Sequence, residues 1–393
     1  MARAKRLIEV AMPIVEISAE CIRDDRIQHG HISSLHKWWA RRPLPVCRAV
    51  VFASLIPDPL DEYCPQSFKD AVEILLGKDN NTGDPYMPYP DIPYTAATDK
   101  MDDNLRNRLL MFIGKFSERY ILNEKLGNKT DSKDQLSDAS LIKWDNKDNE
   151  TIINKARKLI WVSNDKSNAT AQQLLSDFEK HYKQIKNAEV ALYSTIDRHI
   201  VNEDVKLKTK NLNNAIESFL DKMPKVFDPF AGGGAIPLEA SRLGCRSFGN
   251  DINPVAHIIQ KGSLEFPQRH GKPFKISKLN FIQLYGKEEW NKLPNENLIY
   301  ENGEAIAVDI NNRLAFDVEF FAYKILERCK KDIAYLYPTD GKGNMPISYY
   351  WARIGYCSNP SCKAEVPLLR GFYIANTRTK QVYLNPIIRN RKI

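Results

Sequence analysis

Apolar residues recur at helical intervals over much of this chain, a spacing that predicts α-helices. The predicted helices cover residues 104–124, 151–161, 169–193, 212–222 and 314–337. Near the C-terminus apolar and polar residues alternate instead, which is typical of β-strands. Three such stretches, at residues 347–357, 364–376 and 381–388, predict a three-stranded meander with a turn at residues 376–380.

A third pattern begins at Val226 and predicts a buried strand, a glycine turn and a helix in direct succession. The three glycines at residues 232–234 let the backbone turn sharply and approach a ligand without a Cβ in the way. Pro237 suits the first turn of a helix, where its missing N–H costs nothing. Residues 246–251 then predict a second short strand, which ends in the carboxylate of Asp251.

The position of Asp251 indicates which ligand the glycine turn binds. It follows the glycines by about 20 residues, the separation at which an acidic residue reaches the ribose hydroxyls of a bound nucleotide. A dinucleotide site would spread its glycines as G-x-G-x-x-G, but Ile236 and Pro237 occupy the place of the last glycine. A single nucleoside is therefore favoured. The alternative is that residues 232–234 join a strand to a helix for conformational reasons alone.

Histidines, tryptophans and cations are concentrated in residues 26–43. Cations that meet phosphates, beside aromatic rings that stack on bases, are typical of nucleic-acid surfaces. The side chains predicted to contact nucleic acid are His31, His36, Lys37, Trp38, Trp39, Arg41 and Arg42. The alternative is an N-terminal helix whose Trp pair fills the core while its cations stay in water. A metal site on the three histidines is disfavoured, because no carboxylate or thiolate lies nearby in a recognised spacing.

The segment Asp-Pro-Phe-Ala-Gly-Gly-Gly at residues 228–234 resembles the Phe-x-Gly-x-Gly motif of amino-methylating DNA methyltransferases, which use S-adenosylmethionine. With residues 26–43, 350–353 and 367–370, it makes the chain similar to the N-terminal part of adenine-specific DNA methylases that carry an N-terminal domain of unknown function and an embedded zinc ribbon. The resemblance implies a cofactor site formed by Asp228, Pro229, Phe230, Ala231, Gly232, Gly233, Gly234, Asp251 and Asn253.

The chain departs from these enzymes at the step that transfers the methyl group. Amino-methylating enzymes need Asp, Asn or Ser followed by Pro-Pro and an aromatic residue, which accept hydrogen bonds from the target amine and stack on the flipped base. This chain contains no Pro-Pro, and residues 91–94, Asp-Ile-Pro-Tyr, are a poor imitation in a loop before the cofactor motif. We therefore expect a second polypeptide to carry the catalytic motif, and the catalytic residues stay unknown.

Two of the seven cysteines stand apart from the rest. Cys357 and Cys362 flank a Ser-Asn-Pro-Ser turn between strand-like segments, which predicts half of a tetrahedral zinc site. The alternative is that they are two ordinary turn residues. The remaining cysteines, Cys21, Cys47, Cys64, Cys245 and Cys329, are irregularly spaced and predicted to be buried small side chains or surface thiols, as expected in a reducing compartment.

Composition and charge limit the class of protein. The chain has 393 residues, 43% of them hydrophobic, which is enough for a sizeable core and two or three domains. No apolar run approaches the roughly 18 residues that a membrane span needs, so we expect a cytoplasmic protein without membrane contact. The net charge of +8 fits DNA as a partner. Residues 363–393 carry seven Lys or Arg against one acid, Glu365.

These features predict an α/β fold with a partial Rossmann-like, S-adenosylmethionine-dependent methyltransferase core, a large helical insertion and a C-terminal β-rich half zinc ribbon. The predicted segments are an N-terminal domain at 1–60, the insertion at 61–220, the cofactor core at 221–300, a helical connector at 301–345 and the ribbon at 346–393. Two polar stretches, residues 78–100 and 123–150, are expected to be a loop and a mobile surface segment.

The favoured function is a DNA adenine-N6 methyltransferase, or the N-terminal portion or subunit of one, in DNA modification or phage defence. One alternative is a non-catalytic DNA-binding or regulatory subunit that keeps the cofactor fold. Another is a methyltransferase that acts on RNA or a small molecule. Each depends on a cavity shared by Gly232 and Asp251.

Overall fold

The computed structural model describes residues 3–27, 29–77, 104–337, 339, 343–344, 351–377 and 379–385. Within this part the chain is a mixed α/β protein in which helices dominate and the sheets are small. It divides into two compact units, residues 1–319 and 320–393. The predicted loop at residues 78–100 lies outside the described residues.

As far as residue 220, the elements described in the first unit are helices joined by loops. They are α1 (Ile14–Asp24), α2 (Leu44–Leu55), α3 (Gln66–Leu76), α4 (Leu105–Ile113), α5 (Glu118–Lys125), α6 (Glu150–Asn164), α7 (Ala171–Tyr193) and α8 (Glu203–Leu220). Side chains that accept hydrogen bonds from first-turn amides cap the starts of the last five, which fixes their boundaries. The helices predicted at 151–161 and 169–193 are confirmed. The helix predicted at 212–222 begins earlier, at Glu203, and residues 104–124 form two helices separated by extended backbone at Gly114.

These helices enclose a large apolar core, and the segment at residues 123–150 contributes to it. A smaller apolar cluster lies between α7 and α8. Leu136, Leu141 and Ile142 are at most 1% exposed, although this segment was expected to be mobile and on the surface. The side-chain amide of Asn146, also buried, donates to the carbonyl oxygens of Asp138 at 2.6 Å and Ser140 at 2.8 Å. The prediction was wrong because a few apolar residues and satisfied amides anchor a segment whose composition is otherwise polar.

The predicted βαβ unit follows α8. Strands β1 (Lys225–Asp228) and β2 (Arg246–Gly249) pair in parallel, and helix α9 (Ala235–Arg242) connects them. Helix α9 packs against α2, so the unit rests on the N-terminal helices. The prediction that the first strand is buried is wrong: the paired residues Phe227 and Phe248 are 63% and 48% exposed, because the described residues add no further strand or cover on that face.

The first unit continues with short helices and a small antiparallel sheet. Helices α10 (Pro254–Gln260) and α11 (Phe266–His270) flank one π-helical turn at Lys261–Glu265. Strands β3 (Phe274–Ser277), β4 (Leu298–Glu301) and β5 (Glu304–Ile310) pair in the order β3-β5-β4, beside α12 (Lys278–Tyr285) and α13 (Lys287–Trp290). The stretch predicted as a helical connector thus begins with β5, and becomes helical at α14 (Arg313–Ile333).

Two separate hairpins replace the expected three-stranded meander in the second unit. Strand β6 (Arg353–Tyr356) pairs with β7 (Glu365–Leu368), and β8 (Tyr373–Asn376) pairs with β9 (Gln381–Tyr383). The stretch predicted as one strand is broken after Leu368, where the Leu369 amide donates to the Pro367 carbonyl oxygen at 3.0 Å. The turn at residues 376–380 is confirmed by the Thr377 amide, which donates to the Lys380 carbonyl oxygen at 2.9 Å.

None of the helices in the described ranges combines the length and the apolar character that a membrane span requires.

Candidate cofactor site

The glycine turn joins β1 to α9 and is held against the end of β2. The Asn250 amide donates to the Asp228 carbonyl oxygen, and the Ala231 amide donates to the Asn250 carbonyl oxygen, both at 2.9 Å. Gly232 and Gly234 have φ values of +52° and +85°, in the left-handed region that favours glycine. The turn therefore needs glycine at these two positions, whatever it binds.

The carboxylate of Asp251 fastens this turn from the neighbouring strand. One of its oxygens accepts a hydrogen bond from the Gly232 amide at 2.8 Å, and the other accepts from the Asn253 amide at 2.9 Å. The Gly234 amide donates to the Ala231 carbonyl oxygen at 2.8 Å. Two of the three glycine amides that were expected to grip a ligand thus donate within the protein, and the turn is stiffened by its own bonds.

Trp38, from the N-terminal segment, lies directly on the glycine turn. A Cβ placed on Gly232 would be 2.6 Å from Nε1 and 2.8 Å from Cδ1 of the Trp38 indole. A Cβ on Gly233 would be 3.3 Å from the Trp38 Cβ. The missing side chains at these glycines therefore make room for an aromatic ring of the same chain, a role that the sequence pattern did not indicate.

One cavity of about 280 Å³ brings the two sequence motifs together. This volume lies just below the roughly 300–1,000 Å³ usual for small-molecule sites. Its lining comes from both motifs and from α10, namely Ile32, Ser33, His36, Trp38, Ala40, Arg41, Arg42, Asp228, Phe230, Ala231, Gly232, Gly233, Ala235, Ile236, Asp251 and Ile259. Gly232 and Asp251 thus face the same hollow.

Most, but not all, of the residues assigned to the cofactor by resemblance line this cavity. Pro229, Gly234 and Asn253 are not part of its lining. Gly234 faces the side chain of Gln260, whose Cγ would be 3.1 Å from an added Cβ. The Asn253 side chain instead caps α10, since its oxygen accepts from the Val255 amide at 2.9 Å. These residues shape the turn and the next helix, and do not face the cavity.

His31 was expected to lie on a nucleic-acid surface, but it lies inside the protein. It is 3% exposed and stacks on Trp144, with ring centroids 5.3 Å apart. Its Nε2 lies 3.1 Å from an Asp24 oxygen, and its Nδ1 accepts from the Ser33 amide at 3.0 Å. Both ring nitrogens therefore have partners in the chain, which is how a buried imidazole is accommodated.

The other residues of the N-terminal cluster divide into three groups. Arg41 is held by Asp24, with 2.7 Å between Nη2 and the carboxylate oxygen. His36 and Arg42 line the cavity and are exposed. Lys37 and Trp39 are exposed outside the cavity lining, and Trp39 is 92% exposed. The alternative in which the Trp pair fills the core is wrong, because neither ring is buried there.

Sequence reasoning missed the residues that hold the two motifs in place. Asp24 anchors both His31 and Arg41. Gln260, which is 7% exposed, donates from its side-chain amide to the Gly232 carbonyl oxygen at 3.0 Å. No sequence signal marks either one, because an isolated Asp or Gln on a helix is common and its partner is distant in the chain.

The cysteines of the first unit are unreactive by environment. Burial raises the pKa of the Cys21 thiol to about 11, and burial together with nearby carboxylates raises the pKa of Cys47 to about 12. Burial likewise raises the pKa values of Cys64 and Cys245 to about 12. These thiols stay protonated at neutral pH, so none of them serves as a nucleophile in the cavity.

We expect an alkylating reagent at pH 8 to modify Cys329, Cys357 and Cys362 in the native chain and the other four cysteines only after unfolding. The thiolate is the reactive form, and a thiol whose pKa lies at 11 or 12 is almost entirely protonated at pH 8. Mass spectrometry of the alkylated peptides would measure this. Labelling of these four thiols as fast as that of exposed Cys329 would contradict the expectation.

Within the described ranges, no group of three or more His, Cys, Asp or Glu side chains is placed to hold a metal ion. Cys357 follows β6 and Cys362 precedes β7, so the two lie at the tip of one hairpin. They provide two donors, where a structural zinc ion requires four.

Comparison with known families gives a limited match. Residues 11–75 match a family model described as "Protein of unknown function (DUF1156)". The match bears out an N-terminal domain of unknown function, which reaches residue 75 in α3, and it carries no information about a methylase or a zinc ribbon. No curated protein and no solved structure matches the chain. The matched region contains the whole segment from His31 to Arg42. Trp38, which lies on the glycine turn, therefore belongs to the part of the chain that is similar to this family.

Proposed function

We propose that this chain is the cofactor-binding part of an S-adenosylmethionine-dependent DNA adenine-N6 methyltransferase that acts in DNA modification or phage defence. One observation carries the proposal. The glycine turn after β1, the carboxylate after β2 and the N-terminal segment of residues 32–42 line the same cavity, although some 190 residues separate the two motifs. In open parallel α/β sheets, ligands bind at the carboxyl ends of the strands, which is where this cavity lies.

The residues around the cavity fit S-adenosylmethionine in chemical character. Asp251 follows β2 and lines the cavity, as a ribose-binding carboxylate does. Its oxygens each accept one amide hydrogen bond and retain lone pairs for hydroxyl donors. Phe230, 84% exposed on the cavity rim, offers a ring face to a base. When bound, the cofactor would supply an electrophilic methyl group on sulfonium sulfur.

DNA is proposed as the partner on the outer side of the N-terminal segment. Lys37 and Trp39 are exposed there, and a cation beside an exposed ring suits a phosphate and an unstacked base. Arg42 and His36 lie on the inner, cavity side of the same segment. Of the seven residues first assigned to nucleic acid, Lys37 and Trp39 are the ones retained for that role.

A second polypeptide is proposed to complete the enzyme, because the chain lacks the Pro-Pro motif that receives the target amine. The uncovered face of the βαβ unit supports this. Parallel sheets are normally covered on both faces, yet Phe227 and Phe248 lie side by side and exposed. Further strands and helices from a partner would cover these rings and bring the catalytic motif to the cavity.

The proposal is tested by titrating S-adenosylmethionine into the protein by calorimetry. We expect saturable binding, and an Asp251→Ala variant with roughly 10- to 100-fold lower affinity, since hydrogen bonds to a charged group are lost. Asp148→Ala is the control, because that carboxylate is 73% exposed and distant in sequence from both motifs. Transfer of labelled methyl to duplex DNA is then measured with and without a polypeptide that carries the Pro-Pro motif.

The outcomes separate the candidate functions. Cofactor binding with transfer only in the presence of the second polypeptide supports a catalytic half. Cofactor and DNA binding without transfer in either mixture supports the alternative, a regulatory subunit that keeps the cofactor fold, which the missing Pro-Pro motif favours. Absence of S-adenosylmethionine binding to the wild-type chain rejects both.

Cys357 and Cys362 are proposed to supply two ligands of a structural zinc ion, with the other two supplied by the partner. Both thiols lie at one hairpin tip and are partly exposed. In the alkylation experiment, zinc should then protect these two cysteines but not Cys329 when the partner is present. Equal labelling of all three with zinc and partner would reject the zinc site.

A further inference from the structure

We propose that Arg42 binds the α-carboxylate of the amino-acid tail of the cofactor. The N-terminal segment of residues 32–42 then forms part of the ligand site in addition to the proposed DNA surface. The inference rests on the proposed function, since it concerns the same cavity. It assigns to Arg42 a ligand group that the glycine turn and Asp251 do not recognise.

The structure distinguishes Arg42 from its neighbour Arg41. The Arg41 guanidinium is occupied, since Nη2 lies 2.7 Å from Asp24 and Nη1 lies 3.3 Å from the Ser33 hydroxyl. Arg42 makes one weak contact, from Nη1 to the Ala40 carbonyl oxygen at 3.4 Å, and pairs with no carboxylate of the described residues. Arg42 is thus a cation of the cavity lining that is left to bind a ligand.

The charges of the cavity lining favour a carboxylate near Arg42 over one near the strand ends. The lining there includes Asp228, at the end of β1, and Asp251, which follows β2. Like charge repels a ligand carboxylate from these two residues, whereas hydroxyls and an ammonium group suit them. S-adenosylmethionine has ribose hydroxyls and an ammonium group as well as one carboxylate, so its groups match both parts of the lining. A guanidinium is suited to bind a carboxylate through two parallel hydrogen bonds.

The backbone at Arg42 is well fixed for this role. Pro43, the next residue, is the N-cap of helix α2, with φ held at −58°. In that helix Leu44 and Cys47 are buried, and Arg48 is bonded to Glu239 of α9 at 2.6 Å. Because α9 begins at the glycine turn, Arg42 and the turn are held at a constant separation by packed helices. The backbone that carries the cation is therefore preorganised beside the cavity.

Calorimetry with two stable nucleosides tests the inference: S-adenosylhomocysteine, which has the amino-acid tail, and 5′-methylthioadenosine, which lacks it. In an Arg42→Gln variant we expect the affinity for S-adenosylhomocysteine to fall roughly 10- to 100-fold, because hydrogen bonds to a charged group are lost. The affinity for 5′-methylthioadenosine should change less than about twofold. Arg26→Gln is the matched control, an exposed arginine of the same region outside the cavity lining.

The other outcomes contradict either the role of Arg42 or the proposed function itself. If Arg42→Gln weakens both nucleosides equally, or neither, Arg42 does not bind the tail although the site binds a nucleoside. If the variant loses duplex DNA binding while S-adenosylhomocysteine binding is unchanged, Arg42 is a DNA contact. If the wild-type chain binds neither nucleoside, or binds ATP more tightly than S-adenosylhomocysteine, the proposed function itself is rejected. Circular dichroism of each variant confirms that the fold is retained.

Discussion

Gly232→Ala is expected to destabilise the protein by about 3 kcal/mol and to weaken the proposed binding of S-adenosylmethionine by at least about tenfold. Gly232 has φ +52°, where an L side chain costs about 1–2 kcal/mol. In addition, the new Cβ would lie 2.6 Å from Nε1 of Trp38, so the indole must move, at the 1–3 kcal/mol typical of overpacking. The ring lines the cavity, and its displacement changes the shape of the site.

Two further variants separate backbone strain from the clash with Trp38. Gly127 has φ +70° and no atom within 4 Å of an added Cβ. Gly127→Ala should therefore lower the free energy of unfolding only by the cost of the backbone strain. In a Trp38→Ala background, Gly232→Ala should also lower it only by that cost, because the clash is gone. Urea unfolding is measured for five proteins: the wild type, the two glycine variants, Trp38→Ala and the double variant. If Gly232→Ala costs no more than Gly127→Ala, Trp38 does not rest on the turn in solution.

Local pattern was sufficient to predict the βαβ unit. An apolar strand, adjacent glycines and a proline in the first helical turn each have a physical requirement that few other arrangements meet. The separation between the glycines and Asp251 then placed both at the same end of two neighbouring strands. Helices α6 and α7 were predicted for a similar reason, since each presents a continuous apolar stripe to the core.

The environment of the N-terminal cluster could not be predicted, because it depends on partners that are distant in sequence or on a different element. His31 is buried through Asp24 on α1 and through Trp144, more than 100 residues away. The sequence shows a polar histidine among cations, which is equally compatible with a surface. Trp38 looked like a core or base-stacking residue, and only the fold shows that it covers Gly232.

The extent of each sheet could not be predicted from the sequence either. Alternating residues near the C-terminus indicate strands, but they do not say which strands pair. The break between β7 and β8 is set by a local turn after Leu368, where the Leu369 amide donates to the Pro367 carbonyl oxygen. Likewise Val226 and Phe227 predict a strand that is buried on both faces, yet the cover for one face is missing from the described residues.

Glu239→Gln is expected to lower the free energy of unfolding by about 3–5 kcal/mol, the usual cost of breaking a buried ion pair from one side. The side chains of Glu239 and Arg48 are 0% and 1% exposed, and 2.6 Å separates the Arg48 Nε from the carboxylate. The neutral amide would leave the Arg48 guanidinium in the core without a countercharge, and it would also remove the ion-pair partner of Arg242 on the same helix. Urea denaturation, with midpoint and slope fitted for both proteins, measures the difference.

Glu179→Gln is the matched control, since it removes the same charge from a pair of the same length at the surface. Glu179 is 57% exposed and 2.6 Å from Lys158, so its loss should cost less than about 1 kcal/mol. A double variant, Arg48→Met with Glu239→Leu, removes both buried charges and should cost less than the two single changes added together. A cost for Glu239→Gln as small as that of the control would show that the pair is hydrated in solution. In that case helix α2, and with it Arg42, would not be fixed relative to the glycine turn, and the proposed role of Arg42 would lose its structural support.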